Sequence, residues 1–146
     1  MTCFMTRESV FLCSKYFHMD RKIIATGAFL GMTAVILGAF GAHALKEMLD
    51  PGKLATFETG VKYQFYHALF LLFVGLHPDI ANKRKKAIYY LTAMGILFFS
   101  GSIYLLATDG LTDFDFRVIG IITPIGGLLL IVAWLLLFVE FLKKKS

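Results

Sequence analysis

Apolar residues fall along this chain in long unbroken stretches, separated by short polar segments. Four stretches stand out, at residues 23–44, 61–76, 87–107 and 118–141. Crossing the roughly 30 Å of bilayer hydrocarbon takes about 20 helical residues, and three of the four runs reach that length. The second is shorter, and Lys62, Gln64 and His67 fall in its first two turns. Lipid offers no hydrogen-bond partner to a backbone, so a spanning segment is either a helix or a strand of a closed barrel. No ten-residue alternation of apolar and polar positions is present, which excludes the barrel. Short connections make successive helices antiparallel neighbours. The pattern therefore predicts an all-α fold, an integral membrane four-helix up-down bundle.

The segments between the runs set its orientation. Eleven of the 15 Lys and Arg residues lie before the first run, between the second and third, or after the fourth; the other four are Lys46, Lys53, Lys62 and Arg117. Basic residues accumulate in short cytoplasmic segments, so both termini are expected inside, an N-in/C-in topology. The outer segments carry Asp109, Asp113 and Asp115, read as a solvated acidic loop. In Asp50-Pro51 the sequence has a helix start, with Asp as N-cap and Pro in the first turn. Residues 51–60 are read as an amphipathic segment near the outer interface that runs on into the second span.

Residues 19–146 form a single transmembrane domain with no repeat and no low-complexity tract. Residues 1–18 read as an N-terminal extension outside the natural protein, because their apolar patch is too short for a signal-peptide core and Met19 leads directly into the first span. Intact mass of the native protein tests this; a product containing Cys3 defeats it.

Composition agrees with the pattern. At 58% hydrophobic against 17% charged, with a mean hydropathy of +0.71, so small a chain would expose far too much apolar surface in water. The net charge of +5 does not indicate nucleic acid, since the basic residues form clusters flanking apolar runs rather than one solvated face. The run Lys83, Arg84, Lys85 and Lys86 is assigned to anionic lipid headgroups. Cys3 and Cys13 both precede the first span, and their number supports neither a disulfide framework nor a metal knuckle.

Candidate chemistry is sparse. Gly27, Gly31, Ala34, Gly38 and Gly41 recur at intervals of three and four and share one narrow helical stripe, the signature of close helix packing within the bundle or between subunits. Polar groups in hydrocarbon are costly, so Gln64 and His67 are expected to face the interior and hydrogen-bond there. His43 ends the first span and could lie at a similar depth to His67 if the helix breaks near Gly41. Two imidazoles alone are too few for a stable zinc site, so neither metal nor cofactor is assigned. Ser100 and Ser102 in the third span lack the base and acid of a hydrolase triad and are read as bonding helix carbonyls or a neighbouring helix. Thr123-Pro124 with Gly126-Gly127 reads as a kink in the fourth span.

Four motifs together resemble a known family. They are Gly38-Ala39-Phe40-Gly41-Ala42-His43, the segment TGVKYQFYHAL at 59–69, Ser100-Gly101-Ser102-Ile103-Tyr104, and Thr123-Pro124-Ile125-Gly126-Gly127. They look like the small bacterial membrane proteins of the domain-of-unknown-function 423 family, which is similar to the eukaryotic transmembrane protein 256. The likeness covers residues 19–145. It implies a multi-pass protein of the bacterial plasma (inner) membrane and supplies no catalytic assignment. Its signature positions match His43, Tyr63, Gln64, Tyr66 and His67. With Ser100, Ser102, Tyr104 and Thr123, these are the candidates for a polar centre, placed in the outer half of the bilayer.

Three functional readings follow. The first is a non-enzymatic structural or accessory membrane component whose partners are the lipid bilayer and, through the glycine face, a second copy or another membrane protein. The second is a subunit of a small transporter or channel with a polar centre at Gln64 and His67. The third is a bis-histidine haem or metal protein.

Overall fold

The computed structural model describes residues 7–111 and 116–143, with side chains over 19–111 and 119–143. Helix α1 (Arg7–Phe40) passes through a π-helical turn (Gly41–Leu45) into the short α2 (Lys46–Met48). It is followed by α3 (Pro51–Leu76), α4 (Asn82–Ala107), two 3-10 turns (Asp109–Leu111 and Phe116–Ile121) and α5 (Ile122–Leu142). Among the described residues there is no strand, and the fold is all-α.

The turn between α2 and α3 is made by two extended residues. Leu49 ends α2, and Asp50 caps α3, its Oδ1 accepting from the backbone N–H groups of Gly52 and Lys53 at 3.0 Å each. Pro51 takes the first helical position, where its missing N–H leaves no acceptor stranded. No break separates 51–60 from the apolar run that follows. At about 1.5 Å per residue, the 26 residues of α3 extend about 39 Å, enough to cross hydrocarbon as one helix. The continuity agrees with the sequence reading that 51–60 runs on into the second span, and Gln64 falls near the midpoint of the continuous helix.

Side-chain contacts fix the register. Gly27 faces Ala68 and Leu72, Gly38 faces Val61, and Gly41 faces Phe57, so α1 and α3 are antiparallel. Gly60 meets Ile103 and Tyr104 across the antiparallel α3–α4 pair, and Gly95 and Gly126 lock α4 against α5. The helices thus pack in chain order, α1 on α3, α3 on α4 and α4 on α5. The two central helices are flanked on both sides, whereas α1 and α5 lie at the edges.

By length and composition, three helical segments among the described residues are apolar enough to cross a membrane: Met19–Met48, Asn82–Ala107 and Ile119–Leu142. Helix α3 is as long as α4 but carries Lys53, Glu58, Lys62, Gln64 and His67. Of these, Gln64 points inward between α1 and α4 and His67 meets Trp134 of α5, whereas Glu58 and Lys62 stay on the exposed face. Large apolar side chains such as Phe29, Val35, Leu97, Leu128 and Ile131 point outward and are exposed. An exposed aliphatic surface of this kind suits lipid and would be unstable in water.

Among the described residues the interior has two apolar clusters. One gathers Leu45, Leu49, Phe57 and Ala107 near the α2–α3 turn; the other gathers Phe70, Val74, Ile80, Ile88, Ala133 and Leu137 toward the opposite end. Gln64 and His67 lie between them.

The stripe of Gly27, Gly31, Ala34, Gly38 and Gly41 is covered by α3 of the same chain, which selects packing within the bundle over packing between subunits. Pro124 falls in the first turn of α5, where a proline costs little, and not in a kinked interior.

Candidate functional site

The central polar layer is built around Gln64, which is 5% exposed. Its amide nitrogen donates to the Leu30 carbonyl at 3.0 Å and to Thr33 Oγ1 at 2.8 Å, both on α1. Its amide oxygen accepts from the Tyr104 hydroxyl of α4 at 2.8 Å. One side chain on α3 therefore ties the helices on either side of it, and both amide hydrogens and the oxygen are engaged. Thr33 Oγ1 also donates back to the carbonyls of its own helix, at Phe29 and Leu30.

His67, one turn further along α3 and 4% exposed, is held differently. Trp134 Nε1 on α5 lies 3.2 Å from His67 Nε2. An indole nitrogen can only donate, so Nε2 is the acceptor and the proton resides on Nδ1. Nδ1–H then donates to the Tyr63 carbonyl one turn back, at 2.7 Å. The imidazole is a neutral tautomer with both nitrogens occupied. Both ring nitrogens are thus used within the chain, which gives the bis-histidine reading no support.

The other histidine of that reading lies elsewhere. A π-helical turn does occupy Gly41–Leu45, but it leaves His43 exposed. In the α1–α3 register, Gly41 stands opposite Phe57, ten residues from His67, or about 15 Å along the helix axis. Among the described residues no group of three or more His, Cys, Asp or Glu side chains comes together.

The remaining candidates separate into distinct places. Ser102 Oγ and Thr123 Oγ1 are 2.7 Å apart across the α4–α5 interface, with Ser102 also donating to the Phe99 carbonyl. Ser100 is buried with no hydrogen-bond partner, and so is Thr92, contrary to the expectation that Ser100 bonds a helix carbonyl. Tyr63 contributes its carbonyl to His67 while its ring packs on Phe99 at 4.8 Å. Tyr66 points away from the polar layer and lines an outward-facing groove with Trp134.

Charged residues cap the two ends. Lys53 pairs with Asp109 at the α2–α3 end, while Asp113 and Asp115 of the expected acidic loop lie outside the described residues. At the other end Lys85, 2% exposed, pairs with Asp20 at 2.8 Å, and Arg84 pairs with Glu140 at 3.2 Å. This corrects the assignment of the whole run to lipid headgroups: Lys83 and Lys86 are exposed, whereas Arg84 and Lys85 fasten α4 to α5 and α1. The acids come from other helices, which is why the local sequence reads as an unpaired basic cluster.

Several participants were not singled out from the sequence: Thr33, Trp134 and Asp20. A signal for two of them existed. Thr26, Thr33 and His43 are the polar side chains of the charge-free first span, and Thr26 also bonds across helices, to the Tyr89 hydroxyl at 3.2 Å. Trp134 is the chain's one tryptophan, and an indole N–H in hydrocarbon needs an acceptor.

Comparison with known proteins agrees with this architecture. The family described as "Protein of unknown function (DUF423)" matches residues 37–127. A UPF0382 membrane protein of Staphylococcus saprophyticus is 44% identical over 123 residues, covering 84% of this chain and 98% of the relative. The UPF0382 membrane protein YwdK of Bacillus subtilis is 36% identical over 84% of this chain and 98% of its own length. For the UPF0382 inner membrane protein YgdD of Escherichia coli the figures are 33%, 86% and 93%. No solved structure matches the chain. A match over most of its length to bacterial proteins of this one kind, together with lipid-suited helices, makes the chain a multi-pass membrane protein belonging to the DUF423 family.

Proposed function

We propose that the protein is a non-enzymatic structural or accessory component of the membrane, with both termini on the cytoplasmic side, and that its central polar residues serve as an interhelical clamp. The observation that carries this reading is the full engagement of Gln64 and His67 within the chain. A catalytic or permeation centre keeps donors, acceptors or a titrating nitrogen available to its substrate, whereas a clamp uses them on its own helices. The orientation is supported by the clustering of basic residues at the end formed by the α3–α4 turn and the chain termini.

Purified protein in liposomes tests the reading. The expected result is ion and proton flux no greater than that of protein-free vesicles, with Gln64→Leu and His67→Phe lowering thermal stability in detergent. Reproducible flux that disappears in His67→Phe while the fold is retained would overturn it. Reporter fusions after Lys86 are expected to report from the cytoplasm.

The alternative, a subunit of a small transporter, has one observation in its favour. The Thr92 and Ser100 hydroxyls are buried on α4 without a partner, so polar atoms are available there to a permeating molecule. Flux lost in the double substitution Thr92→Val, Ser100→Ala would select this reading.

A further inference from the structure

Helices α3 and α5 are both neighbours of α4, yet their backbones do not pack closely on one another. They meet through side chains: Phe70 on Trp134 at 4.3 Å between ring centres, Phe73 on Phe141 at 6.4 Å, and His77 edge-on to Phe141 at 5.0 Å. What remains between them is an outward-facing groove of about 570 Å³ walled by Tyr66, Phe70, Phe73, Trp134, Phe138 and Phe141. A volume of this size is in the range of small-molecule sites, and its walls are almost wholly apolar.

The axial position of the groove limits what can fill it. From Tyr66 to Phe73, and in parallel from Trp134 to Phe141, it extends seven residues, about 10 Å. It therefore occupies one leaflet only, from mid-bilayer to the end of the bundle where the basic residues gather. At that end the acids are largely spoken for: Asp20 pairs with Lys85 and Glu140 with Arg84, and Asp79 also has a partner. Lys143, two residues beyond Phe141, is exposed, as are Lys83 and Lys86 at the same end. An apolar slot one leaflet deep with a cationic mouth is complementary to one amphiphile, with an acyl chain in the slot and a negative headgroup at the lysines.

We propose that the α3–α5 groove is a binding site for an anionic phospholipid of the leaflet facing the basic end, with one acyl chain against Trp134 and the headgroup phosphate at Lys143. The proposal goes beyond the accessory role suggested above. Its failure leaves that reading intact, because it is tested by lipid occupancy and the clamp by stability and flux.

Trp134 is the only tryptophan of the chain and forms a wall of the groove, so its fluorescence reports the occupant directly. The intact protein is reconstituted in phosphatidylcholine vesicles containing a small fraction of either phosphatidylglycerol or phosphatidylcholine brominated at mid-chain. The expected result is that brominated phosphatidylglycerol reaches half-maximal quenching at about a fivefold lower mole fraction, the preference one lysine supplies near a membrane surface. Lys143→Gln should remove most of that preference, 0.5 M salt should weaken it, and Lys53→Gln at the other end should leave it unchanged. Equal quenching by the two lipids would overturn the proposal, as it marks ordinary annular contact. Weak quenching by both would also overturn it, since the groove would then be covered by another protein surface, with dimers in a crosslinking assay identifying a second copy.

Discussion

Helices α3 and α5 solve the same problem by different means. Helix α3 carries Lys53, Glu58, Lys62, Gln64 and His67 along its length and packs between two partners; α5 is almost wholly apolar and packs closely on one. In water the more apolar helix would be the one drawn inside, but in lipid an aliphatic surface gains little by leaving its surroundings. Burial inside the bundle is instead set by groups that lipid cannot satisfy. Gln64 and His67 draw α3 inward, while α5 can remain at the edge, held by close backbone approach at Gly95 and Gly126 and by a few polar contacts, of Thr123, Trp134 and Glu140. The interior of this protein is polar at its centre for the same reason that its surface is greasy.

The largest effect should come from blocking the close approach of α5 to α4. A Cβ at Gly126 would stand 2.4 Å from the Phe99 backbone nitrogen and 2.8 Å from the Phe98 carbonyl carbon, neither of which can move without moving α4. Gly126→Ala should cost about 3 kcal/mol or more in stability measured by thermal or denaturant unfolding in detergent. At the adjacent Gly127 a Cβ would meet only the Phe99 ring at 3.5 Å, so Gly127→Ala should be near neutral. Equal effects at the two positions would show that α5 is not seated as described.

Next in size is the charged fastening of α1 to α4. Asp20→Asn leaves the Lys85 ammonium buried without its counter-charge and should destabilise by about 2 kcal/mol, less than a fully buried pair because Asp20 is partly exposed. Lys85→Met should cost less than Asp20→Asn, since the carboxylate it frees can turn to water. The reverse order would mean that Lys85 reaches solvent or headgroups after all.

The clamp itself should be worth less than either. Gln64→Leu strands the Tyr104 hydroxyl and removes two bonds to α1, with an expected loss of about 1 kcal/mol, the usual scale of interhelical hydrogen bonds in membranes. Smallest of all, Trp134→Phe keeps the aromatic contact with Phe70 and removes only the donor to His67 Nε2. Stability should fall by less than about 1 kcal/mol. Nitrogen chemical shifts of His67 should report a neutral Nδ1–H ring in the native protein; an Nε2–H tautomer would contradict the Trp134 bond.

Sequence pattern and structure agree where the physics is local or one-dimensional. The lengths of the apolar runs, the Asp50-Pro51 helix start and the i,i+4 pair of Glu58 with Lys62, 3.9 Å apart on the exposed face of α3, are all legible without coordinates. They depend on neighbours along the chain. The Gly27 to Gly41 stripe was likewise legible as a packing face, but its occupant was not, because nothing in α1 distinguishes α3 of the same chain from a helix of another copy.

Hydrocarbon as solvent was decided by the sequence alone: continuous apolar runs leave the backbone no choice but helix, and basic clusters mark one end. Tertiary structure decided which polar groups meet. Gln64 finds Thr33 and Tyr104, His67 finds Trp134, and Lys85 finds Asp20 across separations of 31 to 67 residues. Such pairings depend on register and on which helix becomes a neighbour, and both are properties of the assembled bundle that no single helix encodes.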